Sequence, residues 1–427
     1  MKFTKISAVA SAAVLALGAA ACGGGSDDTK ADGPETITYW SWLGGADTLV
    51  DAFNKSQTRY KVVYEKIPAG GAGGYDKMNA AIKAGQVPDV VNIEYNALPE
   101  FASQGNVAEA SADLTSYVGT LPEGVKGLAT LGGKVWGVPR DAAPQVLYYR
   151  KDLFTKYGIE VPKTWAEFTE AAGKVKKADK SVRLSSFWKD DATVLAGFVW
   201  QAGGRWYTTQ GDGWKVSYDD PNSKKVGDYW TGLIKDDLVR GEVSYSPEWT
   251  KNLVDGKTLT VLGASWNAGS LRDLVKDQAG KWALAPMPSW DGKPASGMVG
   301  GTVYAELKGV KHRAAADAFI EFAASTPESL KAQLGSGTSS ALPADPALVD
   351  AAKAGFDSSF YGGQDVYALT SAQVASIVPG WTWGPVQVFA NAKMKDAAAS
   401  GDITASLTAG QDAATGEIKS RGLTLAP

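Results

Sequence analysis

The sequence predicts an α/β fold, and three observations carry that prediction. Short β-rich runs alternate with stretches of helical spacing through the first hundred residues of the body. Gly and Pro punctuate the boundaries, and the run after Pro88 is continuously apolar, as a strand buried in a parallel sheet would be. With 427 residues the chain has material for two or three domains of roughly 150 residues each. Its 44% hydrophobic and 21% charged residues are those of an ordinary globular protein.

The elements follow in order. Residues 36–42, ITYWSW after the opening Thr, form a β-rich run stopped by Gly44-Gly45, and residues 46–55 then place Leu49, Val50 and Phe53 at helical spacing. Residues 60–67 read as a second strand. Beyond the glycine-rich loop 70–74, residues 78–84 read as a helix ended by Gly85, and 88–94 as a short buried strand. Strands alternating with helices imply βαβ units and a parallel sheet. A second region begins near Tyr148. Residues 152–158 make a short helix with Asp at its start and Gly at its stop, and Thr164 with Glu167 supplies the capping box of a helix that runs on to about 178. Trp-bearing helical stretches are expected at 191–203 and 226–239, and there is no internal repeat.

Composition excludes several function classes. One His and one Cys assemble neither a His/Cys zinc site nor an internal disulfide, and no calcium-loop spacing is present, so no metal and no cofactor are expected. His312, between Lys311 and Arg313, reads as a surface residue, and Asp190-Asp191 as solvated charge. A net charge of −3 gives no basic footprint for nucleic acid. Lys2 and Lys5 ahead of an apolar run to Ala21 make a secretory signal over residues 1–21, too short to span a bilayer. The junction LGAAACG resembles a bacterial lipobox, which makes Cys22 the acylated (palmitate-type) N-terminus, with residues 22–35 as a flexible tether. The expected location is therefore the outer face of the plasma membrane, lipid-anchored.

Five segments in the family's order, ITYWSW, VPDVVNIEYNALPEFASQGNVAEAS, GKVWGVPRDAAPQVLYYRKDLFTKYGIEVPKTWAEF, GASWNAGSL and ELKGVKHRAAADAFIEFAAS, together resemble the sugar-binding lipoproteins of ABC importers, the family-1 extracellular solute-binding proteins. The resemblance covers most of residues 36–345 and is weakest beyond 380. It implies a two-lobed periplasmic-binding-protein-like fold with a ligand cleft between the lobes and hinge crossovers. Carried over, the first lobe takes residues 36–142 and 302–328, the second 146–299 and 331–427. The crossovers fall at 140–145 and 297–302, locally rich in Ala and Pro in the first and Gly in the second, where a hinge can absorb dihedral change. The implied partners are a small sugar and the transmembrane subunits of an ABC permease, with the binding protein itself a monomer.

Within that frame the candidate binding residues follow. An indole presents a flat apolar face and one N–H donor, which suits the C–H face and hydroxyl rim of a pyranose. Trp40 and Trp42 share one face of the opening strand near its C-terminal end, where ligands of open α/β sheets bind. Glu94 ends the strand 90–94 and leads into Tyr95. Asp141 sits at the first crossover beside Arg140. Such carboxylates make charge-assisted hydrogen bonds to vicinal hydroxyls. The resemblance places a sugar-stacking aromatic at Trp266, next to Asn267. Gly301 and Thr302, after Gly300, let backbone approach a guest. Trp383, in the loop Trp381-Thr382-Trp383-Gly384-Pro385, is a candidate lid, whereas Trp136, Trp165, Trp200 and Trp230 read as core. The reading is a binding protein for a di- or oligosaccharide, without catalysis. Two alternatives remain: a secreted glycoside hydrolase using Glu94 and Asp141, and a receptor for peptides.

Overall fold

A computed structural model describes residues 33–211, 213–335 and 339–426. The secretory segment, Cys22 and residues 22–32 of the expected tether lie outside the described residues. The body begins sooner than the tether reading allows. The first strand, Glu35–Ser41, already includes Glu35, whose carboxylate lies 2.7 Å from Nδ1 of the half-exposed His312.

Two sheets organise the chain. The first has five strands in the order Tyr60–Lys66, Glu35–Ser41, Val90–Glu94, Thr302–Ala305, Val138–Pro139. The three strands from the N-terminal region pair in parallel as expected, but Thr302–Ala305 enters antiparallel against both Val90–Glu94 and Val138–Pro139. The second sheet sets Gln145–Arg150 between Thr260–Ala264 and Trp282–Pro286, antiparallel to both, while Ser186–Trp188 and Arg240–Glu242 pair in parallel beside it. The parallel sheet expected from the N-terminal alternation is present but becomes mixed once Thr302–Ala305 joins it, and the second main sheet is antiparallel. Each time the chain returns from one lobe to the other it enters the sheet from the opposite direction, a long-range event that local spacing does not encode.

Helices formed near their signals, although Gly74–Ala84 begins inside the expected glycine-rich loop and Pro221–Lys235 starts and ends ahead of the expected 226–239. Trp165–Ala178 carries the capping box, with Thr164 Oγ1 accepting from the Glu167 N–H and Glu167 reaching back to the Thr164 N–H. Ala192–Gln201 and Pro221–Lys235 carry Trp200 and Trp230 into the second lobe's core, where Trp165 meets Phe168, Phe198 and Trp230 at ring distances of 5.5–5.6 Å. Trp165 and Trp200 are buried as expected. Trp136 is only half-buried, its indole N–H donating to the Leu131 carbonyl. The helix Pro327–Gly335 packs on Ala46–Ser56, with Thr48 Oγ1 donating to the Ala332 carbonyl at 2.7 Å. The segment returning to the first sheet thus runs to Gly335 instead of stopping at 328.

One buried acid remote from the cleft makes stability pH-dependent. Glu306 follows the strand Thr302–Ala305 at 4% exposure, and neither carboxylate oxygen accepts a hydrogen bond, although Arg313 Nε stands 3.3 Å away. Burial, then the neighbouring Asp317, push its carboxyl up to about 7, against the pull of Arg313. The folded state thus holds a proton that the unfolded chain releases earlier. The stabilisation is complete below the ordinary glutamate pKa and is lost as pH rises toward about 7. Glu306→Gln, which cannot ionise, is expected to raise the melting temperature over the parent much more at pH 8 than at pH 4.5. Equal shifts at both pH values would refute this.

Candidate functional site

A cavity of about 380 Å³ opens between the two sheets. One wall comes from the end of the opening strand and the loop after it, Trp42, Leu43 and Gly44, together with Glu94 at the C-terminal end of its strand. The facing wall is Trp266, Ser270 and Asp273, at and within the helix Asn267–Leu274. The floor is built by both crossovers, Arg140 and Asp141 from one and Gly300, Gly301 and Thr302 from the other, with Ser339, Ser340 and Ala341 closing one side.

The floor is held by a dense set of hydrogen bonds. Asp141 Oδ1 accepts from Thr302 N at 2.7 Å and from Thr302 Oγ1 at 3.2 Å, while its Oδ2 lies 3.0 Å from Arg140 Nη1. Arg140 Nε donates to Gln333 Oε1 at 3.1 Å, and its backbone N–H to the Thr302 carbonyl. Gly301 has φ +88, and a Cβ there would stand 2.6 Å from the Tyr95 ring, so only glycine fits. Asp141 is thus a strut of the crossover more than a free ligand group, and its two oxygens are already occupied.

Glu94 keeps more freedom. Its Oε2 accepts from the Tyr75 hydroxyl at 2.8 Å. Burial raises its carboxyl above the usual range, the Tyr75 bond pulls it down, and Asp191 and Asp141 push it up. Tyr75 also meets Trp42 edge-on, with ring centroids 6.1 Å apart, so it positions both the carboxylate and the indole of this wall. Trp266 is half-buried, and its Nε1 donates to the Val299 carbonyl at 2.9 Å. Its N–H is therefore spent on the crossover, and only the ring remains for a guest.

Several expected site residues fall elsewhere. Trp40 is half-buried outside the cavity, with the Lys77 ammonium 4.5 Å over its ring; the chain leaves the strand before Trp42, so the two indoles do not form one platform. Tyr95 is fully buried and donates its hydroxyl to the Asp141 carbonyl at 2.9 Å, supporting the floor from below. Asn267 is buried, its Oδ1 accepting from Ala264 N and its Nδ2 donating to the Tyr245 hydroxyl at 2.7 Å. Trp383 is 4% exposed and packs edge-on against Trp381, which stacks on Trp200 at 5.2 Å and 9°. That loop is core and no lid, because two adjacent indoles gain more area inside the second lobe than over a solvent-filled gap. Asp190 and Asp191 are likewise not free charges. Asp190 accepts from Ser244 N and Oγ, and Asp191 caps the helix Ala192–Gln201. Tyr75, Tyr245, Ser270, Asp273 and Ser339–Ala341 carried no local signal that sets them apart.

A family model described as bacterial extracellular solute-binding protein matches residues 40–329. The chain belongs to that family. Among its relatives, an arabinooligosaccharide-binding protein of Bacillus subtilis is 25% identical over 74% of this chain and 75% of the relative. A diacetylchitobiose-binding protein of Streptomyces coelicolor is 27% identical over 76% and 79% respectively. Among solved structures, the ABC-transporter-associated binding protein of B. animalis subsp. lactis, in complex with β-1,6-galactobiose, superposes with a TM-score of 0.80 at 27% identity, covering 92% of this chain and all of that one. The lacto-N-biose complex of a Bifidobacterium longum transporter-binding protein gives a TM-score of 0.81 at 25% identity and 93% coverage of this chain. This solute-binding protein thus has the two-lobed α/β architecture of its structural neighbours, and its family and relatives are binding proteins. Among the described residues no helix is long and apolar enough to cross a membrane, and no cluster of three or more His, Cys, Asp or Glu forms a metal cage.

A larger depression, about 510 Å³, lies at the far end of the strand Gln145–Arg150 and is ringed by Lys156, Lys257, Lys276 and Lys281. It draws every residue from one lobe, whereas the cavity over Gly301 is the one that lobe motion would open and shut.

Proposed function

We propose that this protein is the carbohydrate-capturing subunit of an ABC importer, holding a di- or oligosaccharide between its lobes and presenting it to the transmembrane subunits. The observation that carries the reading is the cavity's construction, an indole from each lobe (Trp42 and Trp266) and a hydrogen-bonding carboxylate (Glu94) over a floor made by both crossovers. Closure over a sugar removes apolar ring faces from water and pairs several hydroxyls at once, so the guest favours the shut state by its differential affinity. The sugars bound by its relatives support the same class. In this reading the lobes comprise 36–142 with the return segment through Gly335, and 146–299 with the remainder. The protein acts as a monomer tethered through acylated Cys22 at the outer face of the plasma membrane.

Hydrolysis by a carboxylate pair would need Asp141 beside Glu94, and Asp141 does not supply that second group. A general base or nucleophile needs a free oxygen lone pair facing the substrate, and both oxygens of Asp141 are engaged by Thr302 and Arg140. The test is calorimetric titration of the purified protein with arabinooligosaccharides, maltooligosaccharides, diacetylchitobiose, β-1,6-galactobiose and lacto-N-biose, with chromatography of each sugar afterwards. Saturable binding with the sugar recovered intact is expected. Binding of a peptide panel with no response to any glycan, or shortened glycans, would overturn the proposal.

A further inference from the structure

Two charged side chains that do not line the cavity join the lobes beside it. Glu100 lies on the helix Leu98–Ser103, which follows the strand carrying Glu94 at its end. Phe101, the next residue, meets Tyr75 with ring centroids 5.5 Å apart, and Tyr75 is the residue that positions both Glu94 and Trp42. The helix is thus braced against the first lobe's wall of the cavity. Arg421 follows the helix Ile403–Ser420, which is packed on Pro221–Lys235 of the second lobe: Thr404 Oγ1 donates to Asp228 Oδ1 at 2.6 Å, and a Cβ on Gly227 would stand 2.9 Å from Leu407.

Between these two bodies Arg421 Nη1 donates to Glu100 Oε1 at 2.8 Å, with the two side chains 24% and 20% exposed. The other ion pairs among the described residues stay within one lobe or within the first crossover. The cation is held in advance. Its Nε donates to Glu417 Oε1 at 2.8 Å, one helical turn back, and Nη1 also donates to the Pro385 carbonyl at 3.3 Å, both within the second lobe. In its own lobe Glu100 Oε1 accepts from Gln104 Nε2 at a long 3.4 Å. An exposed ion pair contributes little, because two long side chains must be ordered to form it. Here one of the two is ordered already, and partial burial shields the pair from salt more than an open surface would.

We propose that Glu100 and Arg421 are positioning residues that latch the shut conformation, touching no sugar yet setting its affinity and its rate of escape. This rests on the carbohydrate reading of the cleft. Opening the cavity carries the helix Leu98–Ser103 away from the second lobe, so the pair exists in the shut state and gives way to water in the open one. A guest shifts the lobes only by its differential affinity for the two states, and a bond present in one of them adds directly to the apparent affinity. An uncharged sugar then binds in a salt-dependent way, which ring stacking and hydroxyl hydrogen bonds alone do not require.

The test measures the Kd and the dissociation rate of the neutral sugars named above on the full chain. In the parent, affinity should fall about threefold between roughly 0.05 and 0.5 M sodium chloride. Glu100→Gln should weaken binding about three- to fivefold at low salt, mostly through faster dissociation, and abolish the salt dependence. Arg421→Gln should weaken it to a similar extent and the double variant no further, the non-additivity of a direct pair. The melting temperature of the sugar-free protein should stay in place in Glu100→Gln, because the open lobes do not use the bond. Affinity in Glu100→Gln equal to the parent's, losses that multiply in the double variant, or a salt response that is absent from the parent or survives in Glu100→Gln would overturn the latch and leave the carbohydrate reading standing. A lower melting temperature with unchanged affinity would make the pair an ordinary structural contact and overturn it as well. If no neutral sugar binds the parent protein, both fall together.

Discussion

Replacing Trp266 with alanine is expected to lower sugar affinity by about 100-fold, close to 2.7 kcal/mol, the scale of an interface hot spot. Two losses combine. The flat face opposite Trp42 disappears, and so does the hydrogen bond from the indole Nε1 to the Val299 carbonyl, which fastens this wall to the crossover that carries Gly300 and Gly301. Trp266→Phe restores a ring but not the N–H and should recover about tenfold. The informative control is Trp383→Ala. That indole lies in the second lobe's core against Trp381, so its removal should destabilise the fold by about 3–5 kcal/mol without changing the affinity of the folded fraction. Calorimetric titration beside thermal denaturation separates the two. Affinity unchanged in Trp266→Ala, or lost as steeply in Trp383→Ala, would remove the cavity from consideration as the binding site.

The second large effect concerns Arg140. Its side chain is 7% exposed, as is that of Asp141, and the pair joins the first crossover to Gln333 and, through Asp141, to Thr302 of the second. Arg140→Ala leaves a buried carboxylate facing only the Thr302 donors, and breaking such a pair costs about 3–5 kcal/mol, much of it from the stranded charge. Adding Asp141→Asn should therefore return a large part of that stability, a coupling that a double-mutant cycle in urea measures directly. A single-mutant loss below about 1 kcal/mol, or no recovery in the double mutant, would show that the crossover does not depend on the pair.

These two residues illustrate how the site was legible in part. Trp42 and Glu94 could be found because they lie at the C-terminal ends of recognisable strands, where the fold leaves room for a guest, and Trp266 because the family resemblance marks it. Gly301 could be found because a doubled glycine in a crossover signals close backbone approach. Tyr95, Asn267 and Trp383 misled because a polar or aromatic residue beside a strand end looks the same whether it points at solvent or at a partner. The partners of the first two, the Asp141 carbonyl and Tyr245, lie in other turns or loops, and Trp383 follows its loop neighbour Trp381, which stacks on the distant Trp200. Trp40 was assigned by strict alternation, which stops applying once the strand ends at Ser41.

By itself the sequence determined the elements: period-3.6 and period-2 apolar patterns, the Thr164–Glu167 cap and the glycine stops are local, and local free energies suffice to choose helix or strand. Only the tertiary structure decided which strands lie antiparallel, that the Trp381–Trp383 loop folds inward, and that Arg140 and Asp141 of one crossover meet Thr302 of the other. Those outcomes depend on area buried and charges paired between segments up to hundreds of residues apart, and such terms exist only once the chain has closed on itself.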